Sequence, residues 1–497
     1  MQSITVRCRA QSGLDAPPVS VEVFPGPGLP GLVIVGLVET AIKESRDRVR
    51  AALLNSGYTM PDRRIVVSLA PADLPKSGSR YDLAIAIGIL CASRQLPAAQ
   101  LQHCELYGEL GLSGELRPIA GALPAALQCV AAGRRAILPA ANAAEAGLAG
   151  SPNVLLADDL ATAAGFLAGT SPLDSAPPPA HETPVLLDDL SDLVGQHRAR
   201  RGLEIAAAGG HHLLLSGPPG TGKSMLARRL PGILPRNSVQ QAQATAAMYS
   251  LRSLQPADWP VWRAPPFRAP HHTASAAALA GGGSHPRPGE ISLAHNGVLF
   301  LDELPEFQRN VLEVLREPLE TGRISLARAH HSVTFPAEFQ LVAAMNPCPC
   351  GYRGDPLQEC RCTPDQVNRY ARKISGPFLD RIDLHIELAR EPSSFAEPAA
   401  AAEDSASVRR RVCKAREQAS RDRGKLNARL SHAELRALAW PEQEGLKLLD
   451  QAATRFGLSR RACDRVLRVA RTIADLGQQQ TTGTRHIAEA LSLRLSA

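Results

Sequence analysis

Eight consecutive residues, Gly217, Pro218, Pro219, Gly220, Thr221, Gly222, Lys223 and Ser224, restrict the possible folds of this chain more than any other stretch. An apolar run, Leu213 to Leu215, comes directly before them, and a helical run beginning at Met225 comes directly after. In a turn between strand and helix, glycines let backbone N–H groups converge on a phosphate, and the helix N-terminus adds a favourable dipole. Lys223 would reach the β- and γ-phosphates of a nucleotide, and Ser224 would ligate its Mg2+. Such a loop needs a parallel sheet beneath it, because ligands bind at the carboxyl ends of parallel strands.

A second run, GVLFLDELPEF, contains an apolar strand, Val298 to Leu301, that ends in Asp302 and Glu303, about 80 residues beyond the phosphate loop. Asp302 would hold the Mg2+ shell and Glu303 would polarise an attacking water, since phosphoryl transfer mostly needs positioning and charge neutralisation. A third strand, Phe339 to Ala344, leads to Met345 and Asn346. The Asn346 amide either bonds the γ-phosphate and the water or forms the turn before Pro347. Further on, Ser375-Gly-Pro-Phe-Leu-Asp-Arg-Ile-Asp383 sets Arg381 beside an apolar strand, Ile382 to Leu388. Arg381 either compensates transition-state charge at a neighbouring subunit's γ-phosphate or pairs with Asp380 or Asp383.

At 497 residues the chain is about three typical domains long. Two stretches have linker composition: Thr170 to Pro184, with prolines at Pro177 to Pro179, and Glu391 to Ser407, rich in Ala, Ser and Pro. The reading is an α/β protein with an α/β domain at 1–169, a linker at 170–184, a phosphate-loop core at 185–390, a second linker at 391–407 and a helical lid at 408–497. In the first third, strand-like runs (Val33 to Leu37, Arg64 to Leu69, Ala136 to Pro139) alternate with helical ones (Glu39 to Asn55, Tyr81 to Cys91). In the last third, helical spacing runs from Arg460 to Leu476.

The formal charge is +7, but from residue 405 onward 19 Lys/Arg face 9 Asp/Glu, so the basic surplus lies in the C-terminal segment. Those helices either track a polyanion such as nucleic acid, with the salt sensitivity that implies, or present a solvated face. The hairpin-like stretch Thr321 to Phe335 carries Arg323, Arg328, His330 and His331, which could project into a central pore. Aromatics are only 4% of residues, so stacking on single strands would not dominate. The N-terminus shows no charged segment followed by an apolar run, and Leu83 to Leu90 is far short of a membrane span. A cytoplasmic protein with reduced thiols is expected.

Among ten cysteines, Cys348, Cys350, Cys360 and Cys362 form two close pairs within 15 residues. Four thiolates can close a tetrahedral zinc site of structural type; the C-x-C spacing is equally that of four reduced cysteines packing a loop. His271 and His272 read as pore or interface residues.

Together these motifs resemble the magnesium-chelatase-like AAA+ ATPases, and most closely the ComM/YifB group. The resemblance spans nearly the whole chain through VGQHRARRGLEIAAAGGHHLLLSGPPGTGKS, APHHTASAAALAGGGSHPRPGEISLAHNGVLFLDELPEF, NPCPCG, RYARKISGPFLDRIDLHIEL and SRRACDRVLRVARTIADL. It implies ATP and Mg2+ as cofactors, Gly195 and Gln196 near the adenine, Asn346 as sensor asparagine, Arg381 as trans-acting arginine finger and Arg461 as second sensor arginine. It further implies a hexameric ring that drives branch migration on single-stranded or branched DNA in natural transformation. The first third resembles the Lon protease-domain fold through LYGELGLSGELRPIAGALPAALQCV. Lon-type hydrolysis needs a serine activated by lysine, yet no lysine lies between Leu112 and Gly133, and Arg80 and Asp82 occupy the place that Ser77 and Ser79 flank. That domain is read as non-proteolytic. The alternative function is a chelatase-type or protein-remodelling motor that acts on a protein partner.

Overall fold

The computed structural model describes residues 3–36, 40–74, 76, 78–179, 188–193, 195–252, 259–283, 286–327, 332–390 and 403–494. Two separate sheets organise the chain. The first has seven strands in the order Gly31–Val35, Arg64–Ala70, Pro18–Gly26, Ile4–Arg9, Cys104–Leu106, Arg135–Pro139 and Val154–Ala157. Its first half carries antiparallel pairings and its second half is parallel. Helix Asp82–Ala92 is apolar all round (DLAIAIGILCA) and is accordingly buried over all but its last residue. A Cβ at Gly88 would come within 2.5 Å of Val23, so glycine is what allows this helix to lie so close to the sheet.

The stretch expected as a first linker is docked along this sheet over its described part. Ser175 bridges Leu155, Ala176 N donates to Val154 O at 2.8 Å, and Leu156 N donates to Asp174 O at 2.9 Å. Val154–Ala157 is an edge strand, and covering its unpaired N–H and C=O groups gives the proline-rich segment a fixed path. Its remainder, from residue 180, lies outside the described residues, as do 391–402 of the second expected linker. Residues 405–407 of that linker are helical: Asp404 caps Ser405–Arg423 by accepting from Ser407 N.

The second sheet has five strands, all parallel, in the order Phe267–Arg268, Val298–Leu301, Gln340–Met345, Leu213–Ser216 and Leu384–Glu387. A strand covered on both faces should be apolar throughout, and VLFL is buried at every position. The C-terminal region is helical, comprising Ser405–Arg423, His432–Leu438, Gln443–Phe456, Arg460–Leu476 and Thr484–Ser492. These helices do not form an independent core. Val412, Val466, Val469 and Ile487 belong to the same buried cluster as Leu213, Leu215 and Ile386 of the sheet. Chain closure reinforces this union: His385 N donates to Leu493 O at 2.8 Å, and Arg494 binds the carbonyls of Ile382 and Asp383.

Much of the C-terminal basic surplus is used in this packing. Arg409 binds Gly232 O, Arg416 binds Ala207 O, Arg411 pairs with Glu204, and Arg423 and Arg471 flank buried Asp475 at 2.5 and 2.8 Å. These side chains therefore do not supply the exposed basic face that composition invited. Among the described residues no helix is long and apolar enough to cross a membrane.

Two imidazoles beside the second sheet, half-buried His212 and buried His295, make folding sensitive to acid. His212 Nδ1 accepts from Leu341 N at 3.0 Å, and His295 Nδ1 accepts from Glu338 N at 3.1 Å, so both must be unprotonated there. Burial pushes each down to about 4. The unfolded chain takes up these protons nearer pH 6.5, so the contribution to stability is complete above that value and is lost as pH falls towards 4. The urea midpoint should therefore be highest at about pH 7 and fall steadily to about pH 4.5; a midpoint unchanged across that window contradicts the assignment.

Candidate functional site

All five strands of the second sheet point the same way, so their carboxyl ends share one edge, and the residues expected to meet there do meet. Gly220 and Gly222 have φ of 78° and 87°, the left-handed region that glycine tolerates, and open space lies where a Cβ would stand. Gly222 directly precedes helix Lys223–Ile233. A Cβ at Gly217 would lie 2.5 Å from Leu388 O, so this loop also passes too close to the neighbouring strand for any side chain. Thr221 Oγ1 donates to Pro218 O at 2.9 Å and braces the turn.

Lys223 Nζ donates to Gly217 O at 2.6 Å, Pro218 O at 2.8 Å and Asn346 Oδ1 at 3.1 Å. Burial lowers its pKa. Ser224 Oγ donates to Asp302 Oδ2 at 2.6 Å, and Asp302 Oδ1 accepts from Glu303 N at 2.9 Å. A hydroxyl and a carboxylate in contact are two hard oxygen donors, the set that Mg2+ takes from protein when phosphate and water supply the rest. Glu303 sits in the left-handed region at φ 52°, a strained placement for a non-glycine residue. His272 Nδ1 stands 3.1 Å from Glu303 Oε2. The pore or interface reading held no sign of this contact, which the turn at His272 and Thr273 brings about.

Gly195 and Gln196 lie at the start of helix His197–Gly209, both left-handed, with φ of 71° and 51°. Gln196 Nε2 donates to Ala389 O at 2.7 Å, tying this corner to the end of strand Leu384–Glu387. Two contributors were not legible in the motifs. Arg390 Nη2 donates to Pro219 O at 3.2 Å and stands 3.4 Å from Asp355, whose side chain is fully buried. Tyr370, also buried, lies near the backbone of Asn346. Only a pairing of distant segments reveals either one.

Arg381 lies elsewhere. Strand Leu384–Glu387 pairs in parallel with Leu213–Ser216, Leu384 opposite Leu213, so Arg381 precedes the amino end of the sheet while the phosphate loop follows the carboxyl end. At about 3.3 Å per residue the two edges are roughly 10 Å apart before either loop begins. Arg381 pairs with Glu320 and donates to Pro377 O at 2.6 Å; the expected alternatives Asp380 and Asp383 are not its partners, Asp383 being held by Arg465 at 2.6 Å. It lines an open cleft of about 670 Å³ with Arg465 and Arg468. Arg461 is exposed on the first turn of helix Arg460–Leu476, one turn before Arg465.

The four cysteines converge, with Sγ separations of 3.4 Å (Cys348 to Cys350) and 3.6 Å (Cys360 to each of those two), and all four sulfurs within 4.8 Å. The hairpin is present as Arg323–Ala327 against Ser332–Pro336. Its tip, with Arg328, His330 and His331, lies outside the described residues, as does Ser77.

Comparison with known proteins follows the same outline. Residues 189–395 match the family model described as magnesium chelatase, subunit ChlI; residues 21–142 match subunit ChlI of Mg-chelatase; and residues 402–494 match magnesium chelatase, subunit ChlI C-terminal. The chain is 50% identical over 491 residues to uncharacterized protein YifB of Escherichia coli (strain K12), across 98% of this chain and 96% of that one. It is 47% identical over 501 residues to competence protein ComM of Haemophilus influenzae, across 99% and 98%. The chain belongs to the ComM/YifB family of magnesium-chelatase-like proteins. A magnesium-chelatase subunit ChlI from Mesostigma viride is more distant, 26% identical over 110 residues, 22% of this chain and 28% of that one. Membership in the ComM/YifB family and the geometry of the phosphate loop together support an AAA+-type ATPase.

Lys223→Ala removes the ammonium held at the phosphate loop and should weaken nucleotide binding by on the order of 100-fold. Glu303→Gln keeps the shape of the site and should bind nucleotide normally while turnover falls by about 10²- to 10⁴-fold. Binding measured with a fluorescent ATP analogue, alongside phosphate release, separates the two; wild-type turnover in Glu303→Gln contradicts the assigned role.

Proposed function

We propose that this ComM/YifB protein is an ATP-hydrolysing ring motor, hexameric and cytoplasmic, that drives branch migration or translocation on single-stranded or branched DNA. The carrying observation is that Lys223, Ser224, Asp302 and Asn346 meet at one edge of a parallel sheet while Arg381 stands at the other.

The first half of that observation supports hydrolysis. Backbone N–H groups of the loop and Lys223 would hold the phosphates of a bound nucleotide, and Ser224 with Asp302 would hold Mg2+, which would supply charge neutralisation for phosphoryl transfer. Glu303, oriented by His272, takes the proton of the attacking water, and Asn346 is placed to align that water. The second half supports assembly. Arg381 stands at the edge opposite its own phosphate loop and is paired with Glu320; released from that pair, it would serve a nucleotide held by another copy, where its charge would offset that of the transition state. Arg461, on the same side through Arg465, is assigned as the second sensor. That division supports a ring in which each copy completes the next.

DNA as the track is supported by the competence protein name of the Haemophilus influenzae relative and by the hairpin Arg323–Pro336. The matches to magnesium-chelatase subunit models favour a second reading, a motor acting on a protein partner. We read the first third as a Lon-like, non-proteolytic module. Ser79 bonds to Glu109, while Lys76 bonds to Pro71 O, so these two groups are not arranged as a nucleophile and its base.

Two measurements test the proposal. Mixing Arg381→Ala with Lys223→Ala chains, each inactive alone, should restore part of the ATPase rate, because some interfaces then pair an intact loop with an intact finger; no recovery argues against action in trans. Branched or single-stranded DNA should raise the ATPase rate several-fold at low salt, with the gain declining as salt rises. Equal rates with and without DNA at low salt would move the assignment to a protein partner.

A further inference from the structure

The four-cysteine loop has no assigned part in the chemistry, yet it is built onto the phosphate loop. Gly351, between the cysteine pairs, has φ of 88°, and a Cβ there would approach Pro219 Cγ and Cδ to 2.8 Å. Arg390 links the same two segments, donating to Pro219 O at 3.2 Å and facing Asp355 at 3.4 Å. Asp355 is anchored in the cysteine loop, accepting from Leu357 N at 2.8 Å. Asn346, which receives Lys223, precedes Cys348 by two residues. Pro219 and Asn346 therefore both depend on the shape of this loop.

The sulfurs are arranged for one ion. A tetrahedral zinc with Zn–S bonds of about 2.3 Å has sulfur–sulfur edges of about 3.8 Å; the separations among Cys348, Cys350 and Cys360 are 3.4, 3.6 and 3.6 Å, and Cys362 lies within 4.8 Å of each. All four cysteines are free thiols. Cys350 N additionally points at Cys362 Sγ at 3.4 Å, the kind of backbone donor that stabilises a ligating thiolate. Four protein ligands leave no open position, so the ion would be structural.

We infer that Cys348, Cys350, Cys360 and Cys362 hold a zinc ion, and that the zinc-bound loop is the buttress that keeps the phosphate loop in its nucleotide-binding shape. Metal occupancy then sets nucleotide affinity without any contact between ion and nucleotide. The second half rests on the proposed ATPase reading; the first half does not.

The test uses the full purified chain. Elemental analysis should find about one zinc per chain, and the Cys360→Ser/Cys362→Ser double variant should lose it while its affinity for a fluorescent ATP analogue drops at least about tenfold. Gly351→Val keeps all four thiols, so it should retain zinc and still lose affinity, because a branched side chain at φ 88° strains the turn and presses on Pro219; this variant carries the test if the cysteine variant does not fold. Less than half an equivalent of zinc in wild type, iron in its place, or a Gly351→Val chain with unchanged affinity would overturn the inference. Zinc-loaded wild type that fails to bind nucleotide at all would instead sink the ATPase reading and leave the metal site standing.

Discussion

The position of one strand governs the site. Gln340–Met345 runs between the phosphate-loop strand and the strand that ends in Asp302 and Glu303. Neighbouring strands lie about 4.8 Å apart, so this insertion separates the loop from the acidic pair by roughly 10 Å. Ser224, carried on the first turn of the helix after the loop, spans that gap and meets Asp302 at 2.6 Å. Asn346 emerges from the inserted strand between them and takes the Lys223 ammonium.

The same sheet has a second, separate use for its other edge. Asp383 there is paired with Arg465 from the lid and lies 3.5 Å from His211, while Arg494 closes onto the adjoining carbonyls. Burial alone would raise the Asp383 carboxyl, but the hydrogen bond to His211 and the charge of Arg465 hold it well below the usual carboxylate range. The lid is thereby fastened to the edge that carries Arg381, and it shares the core of the sheet. A displacement of the phosphate-loop strand would be felt by both, because packed interiors transmit strain with little compliance.

The charge distribution shows why composition is a weak guide to partners. The C-terminal arginines look available in the chain, but Arg409, Arg416, Arg423, Arg471 and Arg494 bond carbonyls and carboxylates inside the protein. A guanidinium offers five donors in a rigid fork, so it can tie off several buried acceptors at a helix junction at once. A count of arginines cannot distinguish that use from a surface field.

What the sequence determined by itself was whatever depends on neighbours in the chain. The phosphate loop follows from glycines at left-handed positions between a strand and a helix, and the strand Val298–Leu301 and helix Arg460–Leu476 follow from their apolar periods, with those bounds. Near-complete similarity in motif carried the family. Tertiary structure alone decided which distant groups meet. It set His272 against Glu303, Arg381 against Glu320 in place of Asp380 or Asp383, the proline-rich segment along a sheet edge, and Arg390 between Pro219 and Asp355. The physical reason is that periodicity and turn chemistry report a residue's local backbone and its burial. A hydrogen bond between segments 171 residues apart, like that from Arg390 to Pro219, exists only once the sheet has set where both segments end.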